Sequence, residues 1–220
     1  FIACGMVVGI VPKTILPSTK EYYEERWFTS GGDLYNQMLD LDGDQVPFGR
    51  DLLFTANNIT ECILCVEVCE DLWSPQPPSS IMSLEGATII INASASNELI
   101  GKHRYRRDLV KQQSARCNAA YLYSGAGPGE STTDTVCGGH SLIAENGIIL
   151  EEVKRFQFNT QVAVADIDLQ QLINERIVNS GFSSSSPNAK FRIVKFDMPM
   201  VDEEKIIDRK LQRTIYKHPF

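Results

Sequence analysis

A cysteine at the end of an apolar run is the first residue of this sequence that could carry chemistry. The stretch CILCVEVCEDLW at 62–73 contains three cysteines and ends in two acids and a tryptophan. On a strand, Cys62 points to the opposite face from Cys65, and Cys65 and Cys69 share a face about 13 Å apart at ~3.3 Å per residue. These thiols cannot converge on one ion, so the spacing predicts no metal site, and Cys62 and Cys65 are interpreted as buried core thiols.

Cys69 differs from the other two because the apolar run stops at it. In an open α/β sheet, ligands bind beyond the carboxyl ends of the strands. A thiol at that position acts as a nucleophile when a nearby cation or base favours the thiolate. The same position also suits an ordinary buried cysteine, so at this point both interpretations stand.

A second apolar run ends at a cation. VVGIVPKTILP at 7–17 reaches Lys13, and the acids Glu21, Glu24 and Glu25 follow it in KEYYEERWF. A lysine at a strand end is often a solvated charge. The acids that follow could equally orient its ammonium group.

Short apolar runs alternate with helical patterns along the chain, which predicts an α/β layered domain. Strands are predicted at 6–11, 62–69, 87–95, 119–125 and 161–169. Helices are predicted at 20–28, 79–86, 102–118, 168–178 and 202–213. Asn146-Gly147 predicts a hairpin turn between two further strands. Residues 1–180 are interpreted as one domain, and 181–220 as a C-terminal loop and helical arm.

The bulk composition excludes several classes of protein. A net charge of −7 argues against a nucleic-acid surface. The basic stretch at 102–116 is interpreted as a solvated helix face. No apolar run reaches the ~20 residues that span a membrane. Six cysteines are too few for a disulfide scaffold, which favours a reducing, cytoplasmic location.

Several motifs occur together in one order, and together they resemble a known family. VPKTILP…YYEERWF, CEDLW, NASASNE, YR…QSAR and GESTTDTVCGGHSLIAENG resemble the glutamine-hydrolysing domain of glutamine-dependent NAD synthetases. That domain belongs to the nitrilase, or carbon–nitrogen hydrolase, superfamily. The resemblance runs from about residue 7 to 156 and implies an αββα sandwich whose N-terminal strands are missing here.

The resemblance implies a Glu-Lys-Cys triad and a second glutamate that supports the lysine. Cys69 is the implied nucleophile, Lys13 the triad lysine and Glu21 the supporting glutamate. The triad's general base is implied to lie on an earlier strand, yet residues 1–12 contain no acid and no initiating Met. The sequence is therefore expected to be truncated at both ends, and this chain alone to hydrolyse glutamine at least ~10²-fold more slowly than the intact domain.

Substrate contacts are implied in the same way for Glu24, Trp73 and Ser96. Glu24 would pair with the α-ammonium group of glutamine, because a partly desolvated cation needs a carboxylate partner. Trp73 could instead be loop packing, and Ser96 could instead serve a turn.

The resemblance also implies the wider reaction. Ammonia from glutamine would supply the ATP-dependent conversion of nicotinic acid adenine dinucleotide to NAD in a C-terminal synthetase domain, which this sequence lacks. ATP and Mg²⁺ would belong to that partner domain, so no cofactor is expected here. A homo-oligomer is expected, and neither nucleic acid nor membrane is an expected partner. The alternatives are an amidase of the superfamily with another amide substrate, and a catalytically inactive interaction module. Glutaminase activity that depends on Cys69 distinguishes the first interpretation from both.

Overall fold

A computed structural model of the chain describes residues 1–185, 189–199 and 210–213. The first four strands form two small antiparallel ribbons, β1 (Ile2–Ala3) with β2 (Met6–Val7) and β3 (Gln37–Leu41) with β4 (Asp44–Phe48). The remaining seven form one mixed sheet: β5 (Leu52–Ala56), β6 (Ile63–Val68), β7 (Ile89–Ser94), β8 (Ala120–Gly125), β9 (Leu142–Glu145), β10 (Ile148–Glu152) and β11 (Arg192–Phe196). Their spatial order is β10-β9-β8-β7-β6-β5-β11.

The helices of the described residues are α1 (Pro78–Leu84), α2 (Lys102–Cys117), α3 (Leu169–Val178) and the short α4 (Ser180–Ser183). Three 3-10 helices cover Glu24–Arg26, Cys69–Trp73 and Pro128–Glu130. None of these helices is long and apolar enough to cross a membrane.

Three parallel strands at the centre of the sheet set the position of the site. β6 pairs in parallel with β7, and β7 with β8, in a register that places Val68 beside Ala93 and Ala93 beside Ser124. The carboxyl ends of these three strands therefore lie side by side at one end of the strands. Cys69 and the segments that follow β7 and β8 lie at this end.

Side chains from the two faces of the sheet form two separate cores. On one face, Cys65, Ile90 and Tyr121 pack with residues of α1 and α2, such as Met82 and Val110. On the other face, Leu52, Phe54 and Leu64 pack with N-terminal residues. There the ring of Phe1 stacks on Phe54 with centroids 4.5 Å apart. Both faces are covered, which explains why the central strands are almost continuously apolar.

The α/β class and most of the predicted elements are confirmed. The helices predicted at 79–86, 102–118 and 168–178 are α1, α2 and α3 within one or two residues. The Asn146-Gly147 turn joins β9 to β10 with φ of 45° and 83°, as the left-handed hairpin turn requires.

Three predicted elements are wrong in extent or type. Residues 161–168 form no strand. The apolar side chains of Val162 and Val164 are 74% and 52% exposed, so the alternating pattern of this segment does not correspond to a buried strand face. The helix predicted at 20–28 is only the turn Glu24–Arg26, because Lys20 adopts a left-handed conformation at φ 57°. The strand predicted at 6–11 shrinks to β2.

The described residues form only part of the predicted αββα sandwich. An αββα sandwich contains two large sheets, whereas the described residues form one large sheet and two ribbons. The face of β5 and β6 that would meet a second sheet is packed by Phe1, Val8 and Val11.

The C-terminal arm is not only loop and helix. β11 pairs in parallel with β5 at the edge of the sheet, and Arg192 binds the Asp51 carboxylate at 2.8 and 2.9 Å. A strand integrated into the main sheet thus lies within the predicted arm. Most of the helix predicted at 202–213 lies outside the described residues, and 210–213 are not helical.

Candidate active site

Cys69 begins the 3-10 helix at the carboxyl end of β6, where the sequence places a possible nucleophile. It adopts a left-handed conformation with φ 50° and is 8% exposed. A left-handed backbone costs a residue with a Cβ roughly 1–2 kcal/mol, so the surrounding contacts must hold it. Such strained residues cluster at active sites.

A cavity of about 530 Å³ opens onto Cys69. Four segments line it: the residues after Lys13, the carboxyl ends of β6 and β7, and the loop after β8. The lining includes Glu21, Glu24, Ser94, Thr132 and Asp134. A buried thiol beside a cavity of this size is accessible to a small substrate.

Lys13 forms its ion pair with Glu24 and not with Glu21. The Lys13 Nζ atom lies 2.5 Å from Glu24 Oε2, and both side chains are partly buried. The carboxylate of Glu21 instead accepts a hydrogen bond from the side-chain amide of Asn97. In the structure, the glutamate paired with Lys13 is therefore Glu24, for which a substrate contact was predicted, and the predicted partner Glu21 is bound to Asn97 instead.

Asp71, a residue that the sequence analysis did not single out, connects the cysteine segment to the lysine segment. Its Oδ1 accepts the Thr14 hydroxyl at 2.6 Å and the Ile15 N–H at 2.9 Å. Its Oδ2 accepts the Val68 N–H at 2.8 Å. Asp71 is 1% exposed, and both of its carboxylate oxygens accept hydrogen bonds. It fixes the residues next to Lys13 against the residue before Cys69.

A second cavity of about 570 Å³ adjoins the first, and Glu21 and Tyr22 line both. Trp73 lies in this second cavity, where its ring contacts Tyr105 at 5.3 Å between centroids. The Lys102 Nζ atom lies 5.1 Å from the Trp73 ring centroid and donates a hydrogen bond to Asn97 Oδ1. Burial lowers the pKa of Lys102. Lys102 therefore lines this cavity, contrary to the prediction that the whole basic helix 102–116 is a solvated face.

Two more cavity residues complete the electrostatic picture. Burial raises the pKa of Glu70, and the ammonium groups of Lys13 and Lys102 oppose that rise. Of these two cations, Lys102 lines the second cavity together with Glu70. Burial also raises the pKa of Tyr22 to about 12. The Tyr22 hydroxyl donates to Asn97 Oδ1 at 2.9 Å, so it remains protonated at neutral pH.

The remaining predicted residues lie as follows. Ser96 is 8% exposed and lies beside the Tyr123 hydroxyl, and it lines neither of the two cavities. Cys62 and Cys65 are buried, as predicted, and burial raises the pKa of both thiols. Among the described residues, no group of three or more His, Cys, Asp or Glu side chains converges as metal ligands would.

Comparison with known proteins identifies relatives. The profile of the family described as carbon–nitrogen hydrolase matches residues 3–176. The glutamine-dependent NAD(+) synthetase of Mycobacterium tuberculosis is 44% identical over 173 residues, which cover 79% of this chain and 25% of that protein. The synthetase of the same name from Mycobacterium leprae is 38% identical over 221 residues, covering 98% of this chain and 32% of that protein.

A solved structure agrees with these sequence relatives. The crystal structure of a glutamine-dependent NAD(+) synthetase from Cytophaga hutchinsonii superimposes with a TM-score of 0.58 at 29% identity. The match covers 68% of this chain and 23% of that one. The chain thus spans between about a quarter and a third of the length of the two curated mycobacterial relatives.

Proposed function

Because this chain belongs to the carbon–nitrogen hydrolase family, we propose that it hydrolyses the side-chain amide of glutamine with Cys69 as the nucleophile. The observation that carries the proposal is the placement of Cys69. It lies at the carboxyl end of a parallel strand, in a left-handed conformation, beside a cavity. Asp71 ties this turn to the segment of Lys13.

The reaction proceeds in two halves. The Cys69 thiolate attacks the amide carbon of glutamine, and the carbonyl oxygen becomes an oxyanion. Lys13 and the backbone N–H of Glu70 stabilise that oxyanion, and one such donor is typically worth about 2.7–4 kcal/mol. The amide nitrogen takes a proton and leaves as ammonia, which yields a thioester. Water then attacks the thioester carbonyl, releases glutamate and restores the thiol.

A carboxylate serves as the general base, which the resemblance places on a strand before that of Lys13 and not at Glu21 or Glu24. The base takes the thiol proton and later activates the water. Glu24 is committed to Lys13, to which it supplies a negative charge at 2.5 Å. This pairing supports Glu24, and not Glu21, as the glutamate that holds the lysine.

The amino-acid end of glutamine is proposed to bind in the second cavity. Glu21 and Glu70 offer carboxylates to the α-ammonium group, and Lys102 offers an ammonium group to the α-carboxylate. Trp73 supplies the apolar wall beside Lys102. A cavity lined by both carboxylates and an ammonium group suits a zwitterion, whereas a neutral amide would gain nothing from these charges.

The wider reaction is proposed from the names of the relatives. Both mycobacterial relatives are glutamine-dependent NAD(+) synthetases, and the ammonia is proposed to serve NAD synthesis in this protein too. ATP and Mg²⁺ would act in a synthetase domain and not in these residues. A homo-oligomeric, cytoplasmic enzyme is part of the same proposal.

The test measures ammonia release by the full-length protein from glutamine, asparagine and propionamide. Glutamine should be hydrolysed fastest, and Cys69→Ala should abolish the reaction, while Cys4→Ala at an exposed cysteine should leave it unchanged. Faster hydrolysis of propionamide would support an amidase with another substrate. An unchanged rate in Cys69→Ala would refute the nucleophile, and no hydrolysis of any amide would favour an interaction module.

A further inference from the structure

Three buried polar side chains connect the backbone of Cys69 to the interior of the sheet. The Cys69 N–H donates to Asn92 Oδ1 at 3.1 Å, and Asn92 Nδ2 donates to the Tyr121 hydroxyl oxygen at 3.0 Å. The Tyr121 hydroxyl in turn donates to Glu67 Oε1 at 2.5 Å. The three side chains lie on the adjacent strands β6, β7 and β8 and are at most 1% exposed.

The direction of every hydrogen bond in this chain follows from one donor. The backbone N–H of Cys69 can only donate, so the Asn92 atom that faces it must be the carbonyl oxygen. The NH₂ group of Asn92 must then face Tyr121, whose oxygen accepts. The Tyr121 proton is left to point at Glu67, which accepts it. This series of hydrogen bonds therefore has a single arrangement of donors and acceptors, because any other arrangement would place a donor against a donor.

Glu67 is fixed at the far end of the chain. Its second oxygen, Oε2, accepts the backbone N–H of Ser79, the second residue of α1, at 3.0 Å. Burial raises the pKa of Glu67. A carboxyl group at this depth is expensive to bury, and its two hydrogen bonds satisfy both oxygens. Nothing in the proposed reaction uses it directly.

We propose that Glu67, Tyr121 and Asn92 form a positioning relay that holds Cys69 in its left-handed conformation and so presents the thiol to the cavity. The relay contacts only the backbone of Cys69, so its members are positioning residues and not catalytic ones. It rests on the proposed function only in taking Cys69 as the nucleophile.

The relay also decides which backbone amide is left for the oxyanion. Because the Cys69 N–H is bound to Asn92, it cannot turn toward the substrate. The oxyanion must then bind the N–H of the next residue, Glu70, together with a side-chain cation. Loss of the relay would release the Cys69 N–H and let the turn relax, which moves the thiol and the Glu70 amide together.

The experiment follows alkylation of Cys69 by iodoacetamide, mapped by mass spectrometry, in the full-length protein. Tyr121→Phe removes a hydroxyl that both donates and accepts, and Asn92→Leu removes the amide that binds Cys69. Each should slow alkylation about tenfold or more and lower kcat for glutamine similarly, with KM nearly unchanged, because a displaced nucleophile reacts slowly even when substrate binds. Exposed Cys4 gives the reference rate within each sample.

Thr88→Val is the matched control. Thr88 is also fully buried, and its hydroxyl donates to the Glu61 carbonyl at 2.6 Å and accepts the Ile63 N–H at 3.2 Å. It precedes β7 at the end far from Cys69. This variant should lose stability as Tyr121→Phe does, yet alkylate Cys69 at the rate of the unaltered protein. An equal loss of alkylation in the control would refute the relay.

The double variant separates a relay from independent structural damage. If Tyr121 acts through Asn92, the double variant should react no more slowly than Asn92→Leu alone, whereas additive losses would overturn the proposal. In the unaltered protein, the Cys69 amide hydrogen should exchange at least about 10²-fold more slowly than in an unstructured peptide. Exchange at the unprotected rate would refute the relay even if a variant does not fold. If Cys69 of the unaltered protein alkylates no faster than Cys65, the nucleophile assignment itself fails.

Discussion

The Asp71 carboxylate and the Thr14 hydroxyl lie 2.6 Å apart although 57 positions separate them in the sequence. Through the same carboxylate, the Ile15 and Val68 backbone amides are bound to opposite oxygens. The distance between the lysine and the cysteine segments is therefore set by one buried side chain. This side chain lines neither of the two cavities.

We predict that Asp71→Asn weakens both the fold and the reaction. An amide has one accepting oxygen, so its NH₂ group would face either the Ile15 or the Val68 N–H. One buried donor is left without a partner, which costs about 1–3 kcal/mol of the free energy of unfolding. The freed segment should lower kcat by about tenfold or more.

Urea unfolding and glutamine hydrolysis measure the two effects of Asp71→Asn. Asp44→Asn provides the control, since Asp44 is exposed on β4. If Asp71→Asn behaves as Asp44→Asn does, Asp71 does not link the two segments.

A second prediction concerns the two glutamates after Lys13. Glu24→Gln removes the charge that lies 2.5 Å from Lys13 Nζ, so the ammonium group is no longer held at the site. We expect kcat for glutamine to fall about 10²-fold or more, the size of effect typical of a lost electrostatic or acid–base group. Glu25→Gln, in the same turn but exposed, should be silent.

Glu21→Gln distinguishes the two possible assignments. Glu21 is bound to Asn97 beside the second cavity, so its loss should raise KM more than it lowers kcat. A larger fall in kcat for Glu21→Gln than for Glu24→Gln would restore the assignment that the sequence resemblance implies.

A third prediction concerns pH and His140, which is 2% exposed. Arg106 can only donate, and its Nη1 lies 3.1 Å from His140 Nδ1, so that nitrogen accepts and Nε2–H donates to Glu152 at 2.8 Å. The ring is therefore neutral. Burial lowers the pKa of His140; Glu152 and the more distant Glu98 oppose this effect, while the positive charge of Arg106 adds to it.

The sign of the pH effect follows from that lowered pKa. Below the ordinary pKa of 6.5, the unfolded chain binds a proton that the folded protein does not, so the free energy of unfolding falls as the pH drops. One group changes it by at most about 1.4 kcal/mol per pH unit. Chemical unfolding across this range should show the slope, and His140→Gln should flatten it. An identical slope in the variant would contradict the prediction.

A fourth prediction separates stability from activity at Arg176 of α3. Its guanidinium group donates to the carbonyls of Ala87, Cys117 and Asn118, and burial lowers its pKa to about 10. These carbonyls precede β7 and β8, at the edge of the sheet opposite Cys69.

Arg176→Met should lower the free energy of unfolding by about 2–4 kcal/mol, because several buried carbonyls lose their donor. The kcat of the protein that remains folded should not change. Arg104→Met, at an exposed position of α2, is the control for stability. A lower kcat for Arg176→Met would show that the two ends of the central strands are coupled.

The sequence was sufficient where local pattern decides structure. Cys69 could be placed at a strand end because the apolar run of β6 stops there, and the Asn146-Gly147 turn has its own conformational signature. The hydrogen-bond and ion-pair partners of Glu21 and Glu24 were not accessible in this way. Spacing along a regular helix would have placed them, but Lys20 turns the chain at φ 57° and sends their side chains to different partners.

The contributions of Lys102 and Asp71 depend on contacts across the fold. The basic helix at 102–116 was interpreted as solvated because its own residues do not indicate which of its faces packs against other segments of the protein. Arg106 is 1% exposed because Glu98 and His140 reach it from other segments. β11 was missed for the same reason, since its partner strand β5 lies about 140 residues earlier in the chain.

That pairing has a consequence for how the protein is made. During synthesis from the N-terminus, β5 to β10 leave the ribosome before residues 192–196, so the outer edge of β5 waits without a partner and Asp51 without Arg192. An unpaired strand edge invites pairing with other nascent chains. Closing the sheet is then a late, long-range step, which slows folding relative to local contacts. If synthesis stopped before residue 192, the sheet would already contain the turn that begins at Cys69, but the outer edge of β5 would still be unpaired.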